Sequence, residues 1–135
     1  MKEPYIVHED LLYTKEHEWV KQKGASCLIG ITDYAVRMLN DIVYVNLPDV
    51  GSFLKSNDVF GQVESVKTVS DLYMPASGKI LKVNSRLAQA PEILGTSPYI
   101  EGWMLEIEPS NFSVESGMLL NAKAYSDYIS DLTSE

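Results

Sequence analysis

The stretch FGQVESVKTVSDLYMP, residues 60–75, holds one lysine, Lys67, between two β-prone runs that both contain valine. A lone ammonium is costly to bury among apolar groups, so Lys67 has to point into solvent. Two such runs with a short break between them read as a tight hairpin, whose central residues project away from the sheet. Lys67 is therefore expected at an exposed tip, on a flexible four-carbon stem that another protein can reach. Spacing alone assigns it no special role, because most exposed lysines serve solubility.

Working outward, the surrounding segments are short and often punctuated. EHEWVKQKGASCLIGI (16–31) reads as two strands with a turn near Gly24. TDYAVRMLND (32–41) changes period: Thr32 or Asp33 can cap a short helix, Ala35, Met38 and Leu39 share a side, and Asn40 can take the left-handed conformation that ends it. IVYVNL (42–47) is a strand closed by Pro48 and Gly51, and FLKSNDVFGQVESV (53–66) passes a Ser-Asn-Asp turn into the next strand. DLYMPASGKILKVN (71–84) gives a strand, a turn and a strand.

Beyond residue 85 the signals weaken until GWMLEIEP (102–109), a strand closed by Pro109. SVESGMLLNAKAYSDYISDL (113–132) has near-helical apolar spacing, broken at Gly117 and Asn121, so one or two helices finish the chain. VYVNLPDVGSFLKSND (43–58) and DLYMPASGKILKVNSR (71–86) share a loose strand, Pro-Gly turn, strand pattern, as two halves related by a pseudo-twofold would, with Lys67 in the connection between them.

The 135 residues fit one domain, with residues 1–10 as an N-terminal extension and 113–135 as a helical tail; 45% hydrophobic content suffices for a core. Trp19, Ile29, Ile31, Val43, Val45, Val63, Ile80, Val83, Trp103 and Leu105 are the expected core. Tyr5, Tyr13 and Tyr34 read as packing aromatics.

A net charge of −8 argues against a phosphate-binding face, and nucleic acid is not an expected ligand. Lys79, Lys82 and Arg86 are read as a solvated strand face. Cys27 stands alone as a small buried residue, consistent with a reducing compartment. No run reaches the ~20 apolar residues of a membrane span, and the start has no leader pattern, so a cytoplasmic protein is expected. His8 and His17 are isolated and no metal site is expected. Alternation along KEHEW puts Glu16 and Glu18 on one face of a strand, with His17 and Trp19 on the other; the plain role of the two acids is charge that discourages strand addition at an edge.

ESVKTVSDLYMPASGKI (64–80) closely resembles the lipoyl-attachment segment of the glycine cleavage system H protein family. YTKEHEWV (13–20), IGITDYA (29–35), VYVNLPDVG (43–51) and PYIEGW (98–103) resemble further segments of that family, in the same order. The resemblance implies a mainly β barrel-sandwich hybrid: two small antiparallel sheets, a short helix in the N-terminal half and C-terminal helices. It implies lipoic acid in amide linkage on Lys67, which would move the net charge from −8 to −9. Glu64, Ser65, Val66 and Asp71 would flank the attachment point, with Glu64 read by the lipoate-attaching enzyme. Glu18, and less so Glu16, would lie near the arm.

The implied partners are glycine decarboxylase, which loads an aminomethyl group, the aminomethyltransferase, which unloads it, dihydrolipoamide dehydrogenase and the lipoate-attaching enzyme. A monomeric carrier rather than an enzyme is implied. Asn40 stands where the family commonly has Gly, Met38 where relatives often have a polar residue or His, and Gly95 where Asn is usual; the last two point to a weaker hold on a loaded arm. Two alternatives remain: a lipoate store or donor for acyltransferase subunits of 2-oxoacid dehydrogenases, and an unmodified β-sandwich interaction module. A biotinyl carrier is disfavoured, because Lys67 lies between Val66 and Thr68 rather than between methionines.

Overall fold

The computed structural model describes residues 4–133. Two antiparallel sheets face each other. The larger runs β1 (Leu12–Tyr13), β2 (Glu18–Lys23), β3 (Ser26–Ile31), β9 (Leu105–Pro109), β8 (Gly78–Val83), β5 (Phe53–Leu54). The smaller places β6 (Val59–Ser65) between β4 (Ile42–Asn46) and β7 (Val69–Tyr73). Ile29, Ile31, Ile80, Leu105 and Ile107 from the first sheet meet Val45, Val63 and Leu72 from the second in one buried cluster.

Local chemistry explains the connections. Gly24 reverses the chain between β2 and β3 at φ +61°, and Lys23 pairs with Ser26 across it. Helix α1 (Asp33–Leu39) starts where Thr32 Oγ1 accepts the Ala35 N–H at 3.2 Å, as its sequence predicts, and stops at Asn40, whose φ of +60° is positive as expected while its ψ of −144° lies outside the left-handed helical well. The two loosely similar segments occupy corresponding places. Each starts beside β6 in the small sheet, and each ends in the large one, where β5 and β8 pair as Phe53↔Lys79 and Leu54↔Gly78.

The expected core needs three corrections. Val43 is 54% exposed, because the ladder slips at a bulge between Ile42 and Tyr44. Val83 and Trp103 are only part-buried, and Met104 fills the fully buried position beside Trp103. Trp19, Ile29, Ile31, Val45, Val63, Ile80 and Leu105 are buried as expected. The Trp19 ring lies against Gly30, where an added Cβ would sit 2.6 Å from it, and its Nε1–H donates to Pro98 O at 3.0 Å.

The weakly patterned region after residue 85 forms two single-turn helices, α2 (Arg86–Gln89) and α3 (Ile93–Thr96), which bury Leu87 and Leu94. One turn is too short to show a period. The tail forms α4 (Phe112–Glu115), a 3₁₀ turn (Ser116–Met118) and α5 (Ala122–Thr133). Tyr125 of α5 stacks on Tyr13 at 4.5 Å, and Tyr5 meets Tyr34 edge-on at 4.9 Å. Of the expected N-terminal extension, the described part is tied to α1: the Ile6 N–H donates to Asp33 Oδ2 at 2.9 Å, and Arg37 Nη2 donates to Pro4 O at 3.0 Å. Residues 1–3 and 134–135 lie outside the described residues. Among the described residues no helix is long and apolar enough to cross a membrane.

Candidate functional site

The β6–β7 ladder ends at Glu64↔Val69, which leaves Ser65, Val66, Lys67 and Thr68 as the tip. No residue of the tip has a positive φ. Hydrogen bonds shape it instead. The Ser65 N–H donates to Thr68 O at 2.8 Å, and the Val66 N–H donates to Asp41 O, just before β4, at 3.0 Å. Ser65 Oγ accepts from the N–H groups of Thr68 and Lys67 at 3.2 and 3.4 Å. Every backbone donor of the tip is thereby met, and Lys67 stands exposed on a fixed base, as its sequence setting predicts.

A cleft of about 330 Å³ opens beside the tip, between α1 and β7. Glu16, His17, Tyr34, Ala35, Met38 and Leu39 line one side, and Thr68, Ser70, Asp71 and Leu72 the other. Met38 is 51% exposed there. The cleft combines the apolar surface of Met38, Leu39 and Leu72 with the polar groups of Glu16, Ser70 and Asp71, so it can take a ligand that is apolar along its length and polar at its end.

The two acids of KEHEW do not share a strand face. Lys15 and Glu16 form a turn, His17 has φ +75°, and β2 begins only at Glu18. The left-handed residue cancels the alternation that the sequence suggests. Glu16 is exposed and lines the cleft, whereas Glu18 is 1% exposed. Glu18 Oε1 accepts from Thr14 Oγ1 at 2.6 Å and Oε2 from the Tyr73 N–H at 3.2 Å, which ties the foot of β7 to the start of β2. Burial pushes the Glu18 carboxyl up to about 7, against the opposing pull of those two bonds. An edge-charge role does not describe it.

His17 Nδ1 lies 2.9 Å from Tyr125 Oη, which lies 2.7 Å from Thr32 Oγ1. Burial lowers the imidazole to about 4, so it is neutral at physiological pH. Among the described residues no group of His, Cys, Asp and Glu could hold a metal ion.

Glu64 is exposed on β6, paired with Tyr44 and Val69, while Asp71 accepts a 3.3 Å hydrogen bond from Gln62 Nε2 at the cleft edge. Met38 and Gly95 are not brought together. Gly95 lines a separate hollow of about 340 Å³ with Val36, Arg37, Asn40, Asp41, Ile42 and Glu92, on the opposite face of α1. Lys79 and Lys82 are exposed on β8 opposite Glu108 and Glu106, as expected of a solvated strand face, whereas Arg86 starts helix α2 and meets Glu101 at 3.3 Å. The sequence reading missed Asp41 as an anchor of the tip. It also missed Thr68, Ser70, Tyr34 and Leu72 as cleft walls, since these meet only where α1 packs beside β7.

The model of the family described as glycine cleavage H-protein matches residues 11–132. Glycine cleavage system H proteins of Oceanobacillus iheyensis and Anaeromyxobacter sp. (strain K) are 53% and 48% identical to this chain. The matches cover 91% and 93% of it and 97% of each relative. A probable glycine cleavage system H protein of Pyrococcus furiosus is 46% identical over 95% of this chain and 96% of its own length. The crystal structure of a glycine cleavage system H protein from Mycobacterium marinum superposes with a TM-score of 0.84 at 38% identity, over 92% of this chain and 99% of that one. Sheet pairing, the pinned lysine tip and a match along nearly the whole chain agree: the protein belongs to the glycine cleavage H-protein family.

Proposed function

We propose that Lys67 takes lipoic acid in amide linkage and that the chain works as the mobile carrier of glycine cleavage, a cytoplasmic monomer. It would visit glycine decarboxylase, the aminomethyltransferase and dihydrolipoamide dehydrogenase in turn. The observation that carries this reading is the placement of Lys67: exposed, on a turn whose N–H groups are all held, beside a 330 Å³ cleft.

When bound, the group supplies an exchangeable disulfide at the end of a long tether. The chain's own residues do the rest. Ser65 and Asp41 fix where the tether begins, so its reach is set by the arm and not by a wandering turn. Glu16 and Asp71 offer carboxylates at the cleft to a cationic cargo, and Ser70 lines the same cleft. Glu18 acts from beneath, by holding β7 in place through Tyr73. Met38 presents a thioether and no strong acceptor, so the cleft holds a charged cargo less firmly than one with a polar side chain there. No general acid or nucleophile of this chain enters the reading; bond making and breaking belong to the partners.

Incubation with lipoate, ATP and a lipoate-attaching enzyme should add one lipoyl mass to the chain and none to Lys67→Arg. The loaded protein should then support exchange of labelled bicarbonate into glycine by glycine decarboxylase. The apolar Met38 wall favours one second reading, a lipoate donor for acyltransferase subunits of 2-oxoacid dehydrogenases. No exchange above the unlipoylated control, together with efficient lipoyl transfer to such a subunit, would decide for it.

A further inference from the structure

The outer face of the small sheet carries an apolar row next to the lysine tip. Tyr44 on β4, Glu64 on β6 and Val69 on β7 are register partners, so their side chains stand beside one another on one face. Tyr44 is 50% and Val69 58% exposed, while Val45 and Val63, one residue along and facing inward, are buried. The turn adds Val66 and the β4 bulge adds Val43, both more than half exposed. The row beneath is different: Asn46 Nδ2 donates to Gln62 Oε1 at 2.8 Å, and Gln62 Nε2 donates to Asp71 Oδ1 at 3.3 Å. Polar side chains thus replace the apolar ones one step from the tip. Single exposed apolar residues are ordinary, whereas a contiguous group marks a surface that another molecule covers.

Charge and reach identify the occupant. Glu64 is the one charged side chain in the Tyr44–Glu64–Val69 row, and it makes no ion pair among the described residues. The complementary surface is apolar with a basic side chain at its centre. An enzyme that acylates Nζ works one lysine stem from the turn, so it has to lie against the hairpin. Enzymes acting at the far end of a finished arm work a whole acyl chain away and are free to engage the cleft side of β7.

We propose that the Tyr44–Glu64–Val69 row, with Val43 and Val66, is the docking surface for the enzyme that attaches lipoate to Lys67, and that it is distinct from the cleft. The inference rests on reading Lys67 as the lipoyl acceptor. In that step the lipoate carboxylate attacks the α-phosphate of ATP, forming a mixed anhydride with AMP as pyrophosphate leaves. The neutral Lys67 amine then attacks it, an amide forms, and AMP and a proton leave.

The test measures initial lipoylation rates by intact mass, with a purified lipoate–protein ligase, lipoate and ATP. The variants are Tyr44→Ser and Val69→Thr, with Val59→Thr at the far end of β6 as control; thermal melts check that each is folded. Loss of a central interface anchor should lower kcat/KM about tenfold or more for Tyr44→Ser, and severalfold for Val69→Thr, chiefly through KM. Val59→Thr should stay within about twofold, in line with the near-neutral contacts outside an interface centre. Once driven to full lipoylation, all three variants should match the unaltered chain in bicarbonate exchange. Undiminished lipoylation of folded Tyr44→Ser and Val69→Thr overturns the proposal alone, as does an equal fall in exchange. No mass gain on the unaltered chain overturns the reading of Lys67 and this inference with it.

Discussion

Two tight hairpin turns of this chain solve the same geometric problem differently. Between β2 and β3 the reversal is made by Gly24, at φ +61° with open space around its Cα. Between β6 and β7 there is no glycine and no left-handed residue. Ser65 Oγ holds the backbone from within the turn and the Asp41 carbonyl holds it from outside. Both turns contain a serine that donates back to a turn carbonyl, Ser26 to Lys23 O and Ser65 to Thr68 O, but Ser65 also accepts from the Lys67 and Thr68 N–H groups. A glycine suffices where the chain need only reverse. The turn that carries Lys67, the proposed acceptor, is instead pinned by its own serine and by the carbonyl of Asp41.

The largest test of that contrast concerns the lysines. Lys67→Ala should abolish lipoylation entirely and leave stability within about 0.5 kcal/mol, because an exposed side chain is lost without touching the hydrogen bonds of the turn. The same change at Lys23, beside Gly24, should leave lipoylation unchanged. Intact mass and thermal melts of both variants read the outcome; a lipoylated Lys67→Ala protein would mean that another lysine is the acceptor.

Next in size is the link between the two hairpins. Glu18 begins β2 and accepts the Tyr73 N–H at the foot of β7. Its folded-state value of about 7 lies above the ordinary 4.5, so the folded protein keeps a proton that the unfolded chain releases. The contribution of this group to stability is therefore greatest below pH 4.5 and is lost as pH rises towards 7, by about 3 kcal/mol at full extent. His17 works in the opposite sense. Held at about 4 against an ordinary 6.5, it costs stability as pH falls through that window. The two slopes oppose each other in the unaltered chain. Glu18→Gln should expose the His17 slope, with stability falling on acidification, and His17→Asn should expose the Glu18 slope, with stability falling as pH rises. Urea melts of both variants between pH 4 and 8 would show whether the slopes part in those directions.

Ser65→Ala follows. It removes an acceptor shared by two N–H groups, and the buried position of Ser65 leaves water little room to replace it. A cost of about 1–2 kcal/mol is expected. Lipoylation should slow severalfold as the tip loses its fixed base. A destabilised variant with an unchanged lipoylation rate would show that the pinning serves stability alone.

What could be read from the sequence was what depends on neighbours along the chain. The lysine turn, the capped helix α1 with Asn40 at its end, and the Gly24 reversal all follow from local chemistry. What escaped was set by contacts across the fold. Glu18 looked like an exposed strand acid until His17 at φ +75° broke the alternation and turned it inward. Val43 looked like core until the bulge against β6 moved it out. The cleft exists only because β7 packs beside α1, so its far wall, Thr68 to Leu72, could be named as flanking sequence but not as a wall. Gly95 and Met38, paired in expectation, lie on opposite faces of α1, because helical phase separates residues 36, 37 and 40 from 34, 35 and 38.

The smallest effect is expected at the glycine turn, and its size depends on two opposing contributions. Gly24→Ala places a Cβ in open space, so no contact is violated, but an L-residue at φ +61° is strained by about 1–2 kcal/mol. Against this, alanine has fewer unfolded conformations to lose, which returns roughly 0.4–1 kcal/mol. A net loss of about 1 kcal/mol or less follows, whereas Gly24→Asn, with a residue that tolerates the left-handed region, should be close to neutral. Neither change should alter the lipoylation rate, since the β2–β3 turn shares no hydrogen bond with the lysine tip. If Gly24→Ala slowed lipoylation as much as Ser65→Ala, the two turns would be coupled through β2 and Glu18, and the separation between a plain reversal and a pinned one would fail.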